Sequence, residues 1–270
     1  MRKHSLAGLT ACAAFFLLSI ASAPAAAQIP QPVVLPATTA DFMSHYDFWL
    51  TAAALQIDNE RFSWDTNFGG ALDIVDYVAG RTGIRVNYQA GLGDEFRAFD
   101  PNQGNYTLEA NASVRAGANT EFVGVFHHVS RHLSDRPKRE AIAWNVLGLR
   151  VLQHAALGDL TVDADLEGGP VVQHSTVDYK WIGELSLVIR KPVAPRVGLF
   201  LQGSGQIYGV DGTVNNRGNQ FGGYAEAGVR IGGRAGNLEL FAGVEQRVDA
   251  YPIGVGSQQW VLAGFRLLSR

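Results

Sequence analysis

The sequence predicts an all-β fold, an antiparallel transmembrane β-barrel of about twelve strands, and three observations carry that prediction. First, apolar and polar residues alternate with a period of two. Leu160, Val162, Ala164 and Leu166 interleave with Thr161, Asp163, Asp165 and Glu167, while Tyr179, Trp181, Leu185, Leu187 and Ile189 interleave with Lys180, Glu184, Ser186 and Arg190. Second, comparable alternation recurs near 43–56, 70–79, 82–91, 104–116, 119–131, 141–154, 157–168, 178–190, 196–208, 219–232, 237–248 and 258–268, each stretch long enough to cross a bilayer at a tilt. Third, the connections sort into two sets. Short turns at Ala79-Gly80-Arg81-Thr82, Gly117-Ala118-Asn119, Ala155 to Gly158, Pro192 to Pro195 and Gly232 to Gly236 alternate with longer polar loops near 57–69, 92–104, 132–141, 168–177, 209–219 and 249–257. An even strand number with both chain ends on the short-turn side is the pattern of an outer-membrane barrel, and a soluble β-sandwich has no cause to sort its loops in this way.

Ahead of the strands, Met1-Arg2-Lys3-His4 precede a mostly apolar run from Leu6 to Ala21 and then Ala25-Ala26-Ala27. Basic, apolar and small residues in that order form a secretory signal, with cleavage expected after Ala27. Residues 28–41 read as a periplasmic linker held extended by Pro30, Pro32 and Pro36, and 42–270 as the barrel. The expected location is the cell outer membrane.

Composition supports the class and excludes others. Thirty-one of 270 residues are glycine, well above the roughly 7% average, which suits turns and close backbone contacts. The net charge is -3, and removal of Arg2 and Lys3 with the signal takes it to -5, so no basic footprint for nucleic acid is present. The one cysteine, Cys12, lies in the signal, leaving the exported chain without disulfides or thiolate metal sites. The last strand, Gln259 to Arg270, resembles the assembly signal of outer-membrane barrels but lacks the usual terminal aromatic residue.

The two faces follow from the cost of charge in lipid. Glu109, Arg115, Asp163, Asp165, Lys180, Glu184, Arg190, Glu226, Arg230, Glu239, Glu245 and Arg247 fall on one parity and outline a polar lumen filled by ion pairs. Tyr88, Tyr106, Tyr179, Trp181 and Phe221 fall outward near the long-loop ends, where an aromatic girdle belongs. Gly203-Ser204-Gly205 and Gly222-Gly223 lie inside strands and are not phosphate loops. Asn111-Ala112-Ser113 lies mid-strand and is discounted as a glycosylation site.

One segment carries candidate chemistry: Phe126-His127-His128-Val129-Ser130-Arg131-His132-Leu133-Ser134-Asp135-Arg136-Pro137, followed by Trp144-Asn145. Glu121 placed in the lumen sends Phe122, Phe126, His128, Ser130 and His132 outward, and Arg150 in the lumen sends Asn145, Leu147 and Leu149 outward. A hairpin centred near residues 136 and 137 sets His128 opposite Asn145. His128 and Ser130, two apart on a strand, have Cα atoms roughly 6.5 to 7 Å apart, so an imidazole nitrogen can reach the hydroxyl. Ser130 is then a candidate nucleophile, His128 its general base and Asn145 the group that orients the imidazole. His127, on the opposite parity, reads as structural, and a metal site on this strand would be limited to His128 and His132.

These residues resemble the outer membrane phospholipase A family, a twelve-stranded barrel whose site carries His-x-Ser-Asn-Gly, a Ser-Asp-Pro loop and Trp-Asn. The matching pieces are His128-Val129-Ser130, Ser134-Asp135-Arg136-Pro137 and Trp144-Asn145. Arg131 stands where the family has Asn after the serine, and the gap from Ser130 to Asn145 is longer. The resemblance implies an acyl-ester hydrolase acting on membrane lipids, phospholipid or lipid A, with calcium as cofactor near Ser134 and Asp135, and a homodimer. The run His128-x-Ser130-x-His132-Leu133-x-Asp135 also resembles an uncharacterised family of bacterial outer-membrane barrels, from which no activity follows. The alternative is a non-catalytic barrel, structural or a narrow channel, in which the same polar residues only line the rim.

Overall fold

The computed structural model describes residues 38–134 and 140–269, so the signal, most of the linker and Asp135 lie outside the described residues. Twelve strands run in chain order: β1 Asp41–Gln56, β2 Trp64–Asp76, β3 Arg81–Gly93, β4 Asp100–Arg115, β5 Thr120–Leu133, β6 Ile142–Leu157, β7 Leu160–Ser175, β8 Tyr179–Ala194, β9 Val197–Val210, β10 Gln220–Gly232, β11 Asn237–Arg247 and β12 Gln258–Leu268. Each pairs antiparallel with the next, and β1 closes on β12 from Trp49 opposite Leu268 to Gln56 opposite Val261. Closure leaves no open edge, which is how a sheet satisfies every backbone group in lipid.

Five tight turns gather at the end that carries both termini. The β6–β7 turn needs two residues, and Gly158 takes φ +68°, a left-handed conformation that glycine adopts without strain. The opposite end carries the longer connections, one of which holds a single helical turn, α1 (Gly212–Asn215), capped by Asp211. The expected sorting fails at one hairpin. Residues 168–175 do not form a loop; they continue β7, and a turn of only 176–178 joins β8. Gly168, Gly169 and Pro170 pair with Gly183, Ile182 and Trp181. Gly169 is required there because a Cβ would strike the Leu147 carbonyl of β6, so a glycine that suggests a turn instead permits close strand approach. Likewise β2 starts at Trp64 rather than near 70.

The lumen is crossed by ion pairs. Arg81, 1% exposed, bonds Asp73 and Glu121; Arg150 bonds Glu109 and Glu167; Arg266 bonds Glu226 and Glu239; Arg247 bonds Asp65 and Glu245. Arg115 pairs with Asp76, Arg190 with Asp163 and Arg230 with Glu239. Apolar side chains share this interior: Phe62, Phe200, Phe241, Trp260 and Leu262 form one cluster, and Trp144, Val146, Tyr179, Tyr208 and Val248 another.

Two residues depart from the expected parity. Tyr179 points inward and is 2% exposed, its hydroxyl donating to Asp249 Oδ2 at 2.6 Å. Lys180 lies outside the lumen and pairs with Asp211 at 3.0 Å. The cause is a register shift between Tyr179 and Trp181, which reverses the alternation at the start of β8 while Trp181 stays outward. Tyr88, Tyr106 and Phe221 remain on the outer wall.

At the long-loop end, residues 248–250 fold inward while 253–257 stay exposed. Arg131 Nη1 donates to the carbonyl oxygen of Asp249 at 2.6 Å, and Gln103 Nε2 donates to that of Ala250 at 3.0 Å. Arg217 fastens the same loop, donating to both oxygens of Asp178 and both of Asp249. Below lies a cavity of about 100 Å³, lined by His127, Arg131, Glu184, Tyr208 and Arg247 among others, with room for a few waters.

Candidate active site

Strands β5 and β6 build the candidate site on the outer wall. Their register sets His128 opposite Asn145 and Ser130 opposite Ala143, and alternation gives all the polar groups one face while Val125, Arg131 and Val146 turn inward, buried. On the same face Phe122, Phe126, Leu147 and Leu149 are exposed apolar residues, the surface expected to meet acyl chains. The His and Ser groups therefore sit just past an apolar belt, toward the long-loop end.

His128 Nδ1 lies 2.6 Å from Asn145 Oδ1. A carbonyl oxygen only accepts, so the hydrogen-bond network assigns the proton to Nδ1 and leaves Nε2 as the basic nitrogen. Asn145 is itself oriented, its Nδ2 donating to Gln173 Oε1 on β7 at 2.9 Å. Gln173 belongs to this constellation although its segment reads as a loop in the sequence; the continuation of β7 to Ser175 brings it opposite Asn145.

The serine is engaged differently from the expectation. Ser130 Oγ lies 3.2 Å from His132 Nε2, and the described residues hold no hydrogen bond between Ser130 and His128. Two imidazoles thus flank one hydroxyl, at positions two before and two after it on the same strand. Tyr106, opposite Ser130 on β4, packs edge-on against the His132 ring with centroids 5.3 Å apart and an interplanar angle of 85°, and Tyr88 packs behind Tyr106, tilted by 51° with centroids 4.8 Å apart. This contact fixes the ring plane that presents Nε2 to the serine.

Two neighbours, Arg131 and His127, play no part on this face. Arg131 is directed into the lumen, where it holds the inward loop. His127 also points inward, its Nδ1 3.4 Å from Glu167 Oε1. Glu109, His127 and Glu167 have ligand atoms within 4.8 Å of one another, but Arg150 already donates to both oxygens of Glu109 and to Glu167 Oε2, so a guanidinium occupies the position that a cation would take. Ser134 is held by its backbone N–H, which donates to the Asn102 carbonyl at 3.1 Å, and Asp135 lies outside the described residues.

No protein-family model matches the chain. No curated protein matches it in sequence. Among solved structures, outer membrane phospholipase A from Escherichia coli is similar with a TM-score of 0.53 at 13% identity, over 83% of this chain and 92% of that one. The outer membrane phospholipase of Salmonella typhi, a dimer with bound calcium, matches with a TM-score of 0.53 at 14% identity, over 83% and 90% of the two chains. An active-site mutant of the Escherichia coli enzyme matches with a TM-score of 0.51 at 15% identity, over 89% and 94%. At such identities the likeness is one of architecture: the chain is a closed twelve-stranded barrel with the fold of outer membrane phospholipase A.

Proposed function

We propose that the protein is an acyl-ester hydrolase of the outer membrane that works on phospholipid or lipid A from the lipid side of the barrel. The observation that carries this reading is the pairing of His128 with Asn145 beside Ser130 on an outward face. A barrel wall facing lipid has no structural use for an imidazole whose tautomer is fixed by an amide, which is fixed in turn by a second amide. A hydrolase does, because a general base works only with its basic nitrogen directed at the reacting atoms.

In this reading Ser130 attacks the ester carbonyl, His128 removes and returns protons at the scissile bond, and Asn145 holds the imidazole. The likeness to a calcium-bound dimer supports two additions: oxygen donors near Ser134 and Asp135 that would hold calcium, and a homodimer as the working state. Export would remove residues 1–27, leaving 28–41 as the linker to the barrel.

The test is hydrolysis of phospholipid and of lipid A by the purified, folded barrel with calcium present and after chelation. Ser130→Ala is expected to remove nearly all release of fatty acid, and chelation to lower it. Absence of release by the wild type, or equal release by Ser130→Ala, would leave a non-catalytic barrel as the better account.

A further inference from the structure

We propose that His132 is a catalytic residue, the group that receives the proton of Ser130, while the His128–Asn145 pair serves the leaving alcohol. This rests on the hydrolase reading above and assigns its proton transfers. The geometry separates the two imidazoles. The ring of His128 is bonded across to β6 through Nδ1, whereas His132 Nε2 stands 3.2 Å from Ser130 Oγ. Tyr106 braces the His132 ring from β4. The only hydrogen-bond partner of the Ser130 hydroxyl among the described residues is therefore His132.

The two positions have different chemistry. His132 takes a proton from a hydroxyl that it already touches, so it acts at the step in which the Oγ–carbon bond forms. His128 carries its Nδ1 proton toward Asn145, and its Nε2 takes a second proton from solvent before acylation, so this ring enters the step as the imidazolium. In acylation the Ser130 O–H bond breaks, its proton passes to His132 Nε2, and the new Oγ–carbon bond drives an electron pair onto the carbonyl oxygen. When that pair returns, the bond to the alcohol breaks, and the departing alkoxide takes the Nε2 proton of the His128 imidazolium. Water then attacks the acyl-serine and gives one proton to His128. The leaving Ser130 oxygen recovers its own from His132. Nothing is oxidised or reduced, and both imidazoles end as they began.

A base is needed whatever the leaving group, while an acid is needed only for a poor one, and this distinguishes the two histidines. The experiment compares wild type, Ser130→Ala, His128→Gln and His132→Gln as folded, heat-modifiable barrels with calcium present. Two probes are used: an alkyl fluorophosphonate, which labels an activated serine, and a p-nitrophenyl acyl ester, whose leaving group departs unprotonated. His132→Gln should lose labelling by about 100-fold or more and show no burst of p-nitrophenolate. His128→Gln should label within about threefold of wild type and give a burst of about one equivalent that then stalls, because the base assigned to water is missing while His132 still holds the Ser130 proton.

Labelling of His132→Gln at the wild-type rate, or loss of the burst in His128→Gln alone, would overturn the assignment and leave the hydrolase reading in place. A wild type that neither labels nor gives a burst, or a Ser130→Ala protein that labels equally, would remove both. If His132→Gln does not fold, histidine nitrogen spectra of Ser130→Ala decide the matter. The His132 resonances should move and those of His128 should not; the reverse would overturn the proposal.

Discussion

Replacing Arg150 with methionine tests whether the lumen is a packed ionic core or a watery duct. Arg150 is 3% exposed and donates four hydrogen bonds, two to Glu109 at 3.0 and 2.8 Å and two to Glu167 at 2.8 and 2.5 Å. Asp165 stands 3.5 Å away on the same side. Methionine keeps much of the volume and removes the charge, which leaves three carboxylates on facing strands. Breaking a buried pair from one side costs about 3 to 5 kcal/mol, because the penalty is that of the stranded charge. Neutralising a second partner should return part of it: Arg150→Met with Glu167→Gln is expected to be more stable than Arg150→Met alone, by on the order of 1 to 2 kcal/mol. Urea unfolding in lipid vesicles, followed by tryptophan fluorescence and by electrophoretic mobility, measures both differences. A cost below about 1 kcal/mol for the single variant, or a double variant no better than the single, would show that water already solvates these carboxylates.

Two further outcomes follow from the wall and the mouth. Leu187→Arg, at mid-strand on the outer face, should destabilise the barrel by about 2 to 4 kcal/mol, whereas Val193→Arg near the short β8–β9 turn should cost about 0 to 1 kcal/mol; equal costs in vesicle unfolding would contradict the assigned depth. At the mouth, burial pushes the Asp178 carboxyl up, but hydrogen bonds from Arg217 and Asn215 and the Arg217 charge outweigh it and hold the group below the ordinary 3.8. Its stabilising effect is therefore complete above about pH 4 and is lost as pH falls through the lowered value. Protection from hydrogen exchange in residues 211–219, taken relative to the intrinsic amide rate at each pH, should fall in acid in the wild type, and Asp178→Asn should be weakly protected at every pH. Identical pH profiles for the two proteins would sink this account.

Much of the barrel is legible in the sequence because lipid imposes a strict parity on charge. Glu121 and Arg150 alone orient β5 and β6, and hairpin symmetry then pairs His128 with Asn145. The failures have local causes. A register shift at Tyr179 turns a tyrosine that reads as girdle into part of the interior, and Gly168 to Pro170 carry turn-like composition inside a strand. The inward loop at Asp249 and Ala250 carries no periodicity to announce it; its anchor, Arg131, reads only as a departure from a motif. The partner of Ser130 was beyond the reach of spacing, since His128 and His132 lie equally far from it along the strand. Only ring orientation, set by Asn145 on one side and Tyr106 on the other, distinguishes them.

Strand β5 works on two fronts at once, with Ser130 and His132 outside and Arg131 between them holding the mouth from within. Such a segment has a reading frame of its own. Gain or loss of one residue before Ser130 would exchange the faces of everything that follows it, sending the Arg131 side chain into lipid and the serine into a crowded interior. Its lineage can change by substitution, or by insertions and deletions in pairs, but not by single steps. Length variation among descendants of this chain should therefore collect outside β5, leaving the strand constant in length.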